Sequence, residues 1–356
     1  MEAKFDFDKF SIGVDDITAD AENLIKKAEK AKESKGLFTV KTASRWIEQA
    51  RTRPIPQMLF REFWFEGELC ILFADTNLGK SILAVQIGNS ISKGEQIRGF
   101  KMETSKQTIL YFDFELSDKQ FENRYSFNYE QHYNFDNDFI RIEMNPDAEI
   151  PDRGDEYEER LNQSLEQTII ETGAKVLIID NITYLKNETE KAKDALPLMK
   201  YLKALKSKYG LSILALAHTP KRDLSKPITR NDLQGSKMLI NFCDSSFSIG
   251  ESTTDKNIRY LKQIKARNTE IIFDTENVCV CQIEKPVNFL QFDFVGYGAE
   301  SKHLKQYNEK DKEQRISEIM EFKNQGITNI EIAQKFGVSE GAIRKWIKKA
   351  NENGSE

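Results

Sequence analysis

Four short, almost unbroken apolar runs punctuate the middle of the chain: Leu69 to Ala74, Thr108 to Phe114, Lys175 to Asp180 and Leu211 to Ala217. Runs of that length predict strands buried on both faces, as in a parallel sheet covered by helices. The amphipathic stretches Ser81 to Lys93, Ser117 to Phe127, Glu156 to Glu171 and Ala192 to Lys208 predict the helical crossovers. From Ser245 onward the rhythm changes to closely spaced strands, Ser245 to Ile249, Ile258 to Lys265, Glu270 to Asp274, Val278 to Glu284 and Phe289 to Phe294. Turn residues separate them, which predicts an antiparallel extension of the same sheet.

The pattern divides the chain. Residues 1–57 read as a helical extension, with polar helices over Ala19 to Ser34 and Thr42 to Arg51 ended by Pro54 and Pro56. Residues 58–296 form the α/β domain, 297–310 a polar linker marked by Gly298, 311–350 a small all-α module and 351–356 a tail. In that module, helices over Arg315 to Gln325, Asn329 to Phe336 and Glu340 to Ala350 enclose a core of Ile330, Ile332, Ala333, Phe336, Val338, Ile343, Trp346 and Ile347.

Composition narrows the class. Apolar residues make up 39% and charged residues 31% of 356, enough for a core and too charged for a membrane protein. No stretch reaches the roughly 18 apolar residues of a membrane span, and Met1 to Ser11 lacks the basic and greasy regions of a leader, so the expected location is the cytoplasm. Cys279 and Cys281 share a strand and lack a second pair, which predicts buried thiols and not a zinc site. The net charge of −5 excludes a uniformly basic nucleic-acid coat but permits local basic patches.

The first apolar run leads into Ala74-Asp75-Thr76-Asn77-Leu78-Gly79-Lys80-Ser81 and then a helix, the setting of a phosphate-binding loop. Asp75 to Ser81 would wrap the phosphates of ATP, with Lys80 on the β/γ-phosphates and the Ser81 hydroxyl on Mg2+. Ala74 replaces the usual first glycine, and Asn77 stands where glycine often supplies a positive φ, a conformation that Asn tolerates best among the others. Asp180, ending its strand, suits the second magnesium contact. Glu115 follows a strand expected beside that of the phosphate loop, which would aim its carboxylate at the γ-phosphate; Asp113 shares its face and competes for the role.

Together with Glu115-Leu116-Ser117 and a following helix ending near Arg124, these motifs resemble the RecA-like ATPases of the hexameric helicase branch, of the DnaB and plasmid RepA type, over roughly Phe60 to Phe294. The resemblance implies a RecA-like sheet, Glu115 as the catalytic carboxylate and His218 as a sensor of the γ-phosphate. It also implies Arg267, in Lys265-Ala266-Arg267, as an arginine projected into the neighbouring subunit's site of a homo-oligomer, a hexameric ring in that branch.

Between Thr219 and Lys237 lies a polar loop with five basic residues, Lys221, Arg222, Lys226, Arg230 and Lys237, against Asp223 and Asp232. By resemblance it lines a central pore and grips single-stranded DNA, and its charge suits phosphate contacts. The stretch from Ile327 to Lys349 resembles the helix-turn-helix of bacterial regulators and recombinases. That would put Ser339, Glu340, Arg344, Lys345 and Lys348 near the face that enters a duplex major groove. The expected function is an ATP-hydrolysing, oligomeric DNA motor, helicase or translocase, in replication or transfer of a plasmid, phage or mobile element. The alternatives are a site-specific DNA-binding regulator whose assembly ATP switches, and a clock or signalling ATPase, against which the helix-turn-helix counts.

Overall fold

The computed structural model describes residues 38–148, 155–185, 195–220, 222–233, 237–306, 309–336 and 338–353. The helix expected over Ala19 to Ser34 and the basic residue Lys221 lie outside them. The chain forms two units, Met1–Ile55 and Pro56–Glu356. In the first, helix α1 (Ala43–Arg51) starts at Thr42, whose hydroxyl accepts from the Arg45 N–H at 3.3 Å, and none of its residues is buried within the unit.

The second unit opens with a small hairpin, β1 (Met58–Phe60) and β2 (Trp64–Phe65), then β3 (Leu69–Ala74) and α2 (Lys80–Lys93). There follow β4 (Ile109–Asp113), α3 (Asp118–Arg124), the hairpin β5 (Ser126–Phe127) and β6 (Gln131–His132), β7 (Phe139–Ile142) and α4 (Asp155–Thr172). Strand β8 (Val176–Asp180), α5 (Ala195–Tyr209), β9 (Ser212–His218), α6 (Lys237–Phe242) and β10 (Ser245–Glu251) complete the covered part of the sheet. Strands β11 (Ile258–Lys265), β12 (Val278–Glu284) and β13 (Gln291–Gly298) extend it, and α7 (Glu309–Asn324), α8 (Asn329–Phe336) and α9 (Glu340–Asn353) form the helical module.

One sheet of nine strands, ordered β13-β12-β11-β10-β3-β9-β8-β4-β7, organises the unit. Strands β10 through β7 in that order run parallel, while β11, β12 and β13 are antiparallel. All six residues of β3 are buried, because alternate side chains feed two cores. Cys70, Leu72 and Ala74 join the layer with α2, whereas Leu69, Ile71 and Phe73 join that of α4 and α5. The four cysteines are buried free thiols. Among the described residues no helix is long and apolar enough to cross a membrane.

The sheet corrects several expectations. Strand β4 is not beside β3; β9 and β8 lie between them, since apolar runs mark burial but carry no lateral order. Strand β10 is parallel to β3 and belongs to the covered sheet. Glu270 to Asp274 forms no strand: the N–H groups of Ile272 and Phe273 donate to the Gln263 side-chain oxygen at 2.8 Å each, which satisfies them without a ladder. The supposed linker begins as sheet, for β13 runs to Gly298, and Glu300 beyond it is fully buried. In the helical module Ile330 is 58% exposed, and Ile319 takes the buried place with Ile332, Ala333 and Ile343.

Gly250 faces Tyr260 across the β10–β11 ladder, and a Cβ there would fall 2.1 Å from the buried ring. Gly250→Ala should cost about 1–3 kcal/mol through overpacking, read as a lower urea midpoint at unchanged m. A wild-type midpoint would contradict this packing.

Candidate active site

The carboxyl ends of β3, β9, β8 and β4 gather the polar side chains that the apolar runs deliver. Beyond Ala74 the chain turns through Asn77 at φ 62° and Gly79 at φ 95° and enters α2 at Lys80. Asn77 therefore adopts the left-handed conformation expected of it. Gly79 is required twice over, since a Cβ would also lie 2.9 Å from the Phe292 ring. The Asp75 carboxylate accepts from the Thr76 N–H at 2.7 Å and hydroxyl at 3.3 Å, Leu78 anchors in the core, and Thr76 and Asn77 remain exposed.

Lys80 is only 6% exposed. Its ammonium donates to the carbonyls of Ala74 and Asp75 and to His218 Nδ1, each at 3.1 Å. Burial lowers its pKa, opposed by the charges of Asp180, Glu115 and Asp75. Because an ammonium can only donate, His218 Nδ1 is the acceptor; the ring hydrogen then sits on Nε2, which faces Glu115 Oε1 at 3.4 Å. The register that pairs Ala74 with His218 creates this bridge.

Glu115 reaches the site from the turn after β4, although that strand is remote from β3. Its Oε1 also accepts from Asn181 Nδ2 at 2.8 Å. The His218 contact is the largest influence holding its pKa low, against its partial burial and with help from Asn181. Asn181 was not anticipated. Its Oδ1 accepts from the N–H and hydroxyl of Thr183, both at 2.8 Å, and an Asn following a strand-end Asp is the available turn signal. Asp113 is otherwise engaged: its Oδ1 accepts from the N–H groups of Glu115 and Leu116 at 3.2 and 3.0 Å, and its Oδ2 from Arg141 Nε at 2.9 Å.

Asp180 is fully buried and accepts from the Tyr111 hydroxyl at 2.8 Å. Burial pushes its pKa up to about 6, resisted by the Ser81 and Tyr111 hydroxyls. Its Oδ1 has no hydrogen-bond partner, as befits a carboxylate that meets a cation or its water. Among the described residues no three His, Cys, Asp or Glu side chains could hold a metal by themselves. Magnesium fits this donor set, because it keeps several waters and takes one or two protein ligands beside substrate phosphates.

The remaining expected residues lie apart. Arg267 donates to Asp244 at 3.1 Å and is half-exposed. Asp244 bonds the first residue of β3, so Arg267 stands at the opposite sheet end from Lys80. Arg222 is half-buried and donates to the Lys226 carbonyl at 3.2 Å, while Lys226 and Arg230 are exposed. Lys237 begins α6. Ser339 caps α9, accepting from the Ala342 N–H at 3.3 Å; Arg344, Lys345 and Lys348 are exposed along that helix, with Arg344 paired to Glu340 at 2.6 Å.

The raised pKa of Asp180 makes a signed prediction. A carboxyl whose folded pKa exceeds its unfolded value helps stability at low pH and penalises it as pH rises from the ordinary 3.8 through about 6. Asp180→Asn should therefore stabilise the nucleotide-free protein at pH 8, by on the order of 3 kcal/mol at most. The gain should vanish as pH falls below 4, an expectation for urea titrations at both ends of the range.

Two family comparisons agree with this geometry. An AAA domain matches residues 35–223 and a helix-turn-helix domain matches residues 315–356. No curated protein matches the chain. With the phosphate loop, its strand-end carboxylates and a match over more than half its length, the chain belongs to the AAA domain family of P-loop ATPases and carries a helix-turn-helix domain after the sheet.

Proposed function

We propose that this protein hydrolyses ATP and, as an oligomer of the hexameric helicase branch, couples turnover to movement on DNA. The observation that carries the reading is the continuous Lys80–His218–Glu115 contact at the carboxyl edge of the sheet. The backbone of Asp75 to Gly79 and the first turn of α2 offer N–H groups to phosphates, and Lys80 exchanges its carbonyl partners for phosphate oxygens. Ser81 directly and Asp180 through water would hold magnesium, which supplies neutralisation of charge on the phosphates. Glu115 orients and polarises the attacking water, held by Asn181 and His218, and His218 reports the γ-phosphate to the loop that begins at Thr219.

Arg267, remote from its own Lys80, acts on a neighbouring subunit's nucleotide, which makes assembly part of the chemistry. Lys221, Arg222, Lys226, Arg230 and Lys237 serve the single strand. The helix bearing Ser339, Arg344, Lys345 and Lys348 brings the oligomer to duplex DNA. This combination suits plasmid, phage or mobile-element replication or transfer in the cytoplasm. The helix-turn-helix also supports a second reading, a regulator switched by ATP, which predicts slow hydrolysis insensitive to DNA.

Lys80→Ala should abolish turnover and weaken ATP binding. Glu115→Gln should retain ATP binding yet lose about 10²–10⁴-fold in rate, while Asp113→Asn should mainly lower stability by uncoupling Arg141. Steady-state hydrolysis and nucleotide titration of the three variants decide the matter. If Asp113→Asn stops hydrolysis and Glu115→Gln does not, the carboxylate is misassigned.

A further inference from the structure

A buried ion pair outside the nucleotide site grips the basic loop by its backbone. Lys262, on β11, and Glu300, just after β13, lie 2.5 Å apart with side chains 7% and 0% exposed. Glu300 Oε1 accepts from the Ile228 N–H at 2.7 Å, and Lys262 Nζ donates to the Ile228 carbonyl at 2.8 Å. Both polar groups of one loop residue are thus taken by the two members of the pair. The Tyr260 hydroxyl donates to the same Glu300 oxygen at 3.1 Å. Ile228 itself is 3% exposed, while Lys226 and Arg230, two residues to either side, point to solvent. A second tie joins the Lys305 N–H to the Leu224 carbonyl at 3.0 Å.

Burying two charges costs several kcal/mol per ion, and apolar side chains of similar volume usually hold a fold as well or better. What they cannot do is bond the N–H and the carbonyl of a loop residue. We propose that the Lys262–Glu300 pair is a clamp that presets the shape of the basic loop, so that Lys226 and Arg230 are presented to a nucleic-acid backbone already ordered. This rests on the reading of the loop as a DNA surface. The clamp residues are positioning residues: they touch the loop and not the strand. Without them, the Ile228 groups find partners only in water, and binding must re-order the loop each time.

Ordering and charge separate cleanly in a salt titration. Binding of a fluorescein-labelled oligothymidylate to the full chain, with a non-hydrolysable ATP analogue, is followed by anisotropy for three proteins. Lys226→Ala/Arg230→Ala removes contacts, so affinity should fall and the slope of log affinity on log salt should flatten by roughly 0.7 per contact. Lys262→Met/Glu300→Leu keeps every loop charge, so affinity should fall by about tenfold or more, the equivalent of re-ordering a single backbone residue, at an unchanged slope. Thermal melting near that of wild type shows that the fold is intact. Wild-type affinity in the clamp variant, or a slope flattened as in the charge variant, overturns the proposal. If the charge variant alone binds like wild type, the loop reading itself is wrong. Should the clamp variant not fold, Lys262→Met/Glu300→Gln removes the donor to the Ile228 carbonyl and both buried charges while an amide still fills the Glu300 site, and it carries the same expectations.

Discussion

The ammonium of Lys80 sits nearly dry at the carboxyl edge of a parallel sheet, and the arrangement of the site follows from keeping it satisfied. A buried cation must be fully bonded, and here three acceptors match its three hydrogens: the Ala74 and Asp75 carbonyls and His218 Nδ1. The first two exist because β3 ends where the loop turns, through the left-handed Asn77 and Gly79. The third exists because β9 pairs with β3 in a register that sets His218 level with Ala74. Phosphate oxygens are stronger acceptors than carbonyls, so in the proposed mechanism nucleotide arrival would exchange partners at one nitrogen and free the histidine that also touches Glu115.

Lateral strand order explains the division of labour among the carboxylates. Strands β8 and β4 set Asp180 and Asp113 side by side in register, yet their surroundings differ. Asp113 is consumed by Arg141 and two backbone N–H groups, and so builds the turn that lifts Glu115 toward His218 and Asn181. Asp180 keeps one oxygen unbonded beside Ser81. At the other end of the sheet, Asp244 is held by Lys206 and the Leu69 N–H as well as by Arg267. Arg267 could therefore leave Asp244 without stranding a buried charge, as its proposed role at a neighbouring subunit requires.

Much of this was legible in the sequence because it is local. Apolar runs located β3, β4, β8 and β9, and the loop from Asp75 to Ser81 was readable from residue type and context. The helical module was readable from its periodicity. What was not legible is relational. Half-buried Phe139–Ile142 gave no strand signal at the sheet edge, and Glu270 to Asp274 looked like a strand from its apolar run, although a side-chain amide, not a ladder, satisfies the N–H groups of Ile272 and Phe273. Glu300 looked like linker because a buried charge is indistinguishable in sequence from a solvated one, and only the fold reveals its partners. Asn181 was visible as a letter but not as the residue that bonds Glu115.

The most direct test of the account is ATP turnover in mixtures of Arg267→Ala and Lys80→Ala chains, with mixing verified by native mass. Each variant alone should be nearly inactive, the first because an arginine worth about 10³ to 10⁵ in rate is missing. A one-to-one mixture should regain activity at about a quarter of its interfaces, those that randomly pair an intact phosphate loop with an intact arginine across a heterologous contact. Background rates in verified mixed oligomers, or wild-type turnover by Arg267→Ala alone, would contradict a site completed by a neighbouring subunit.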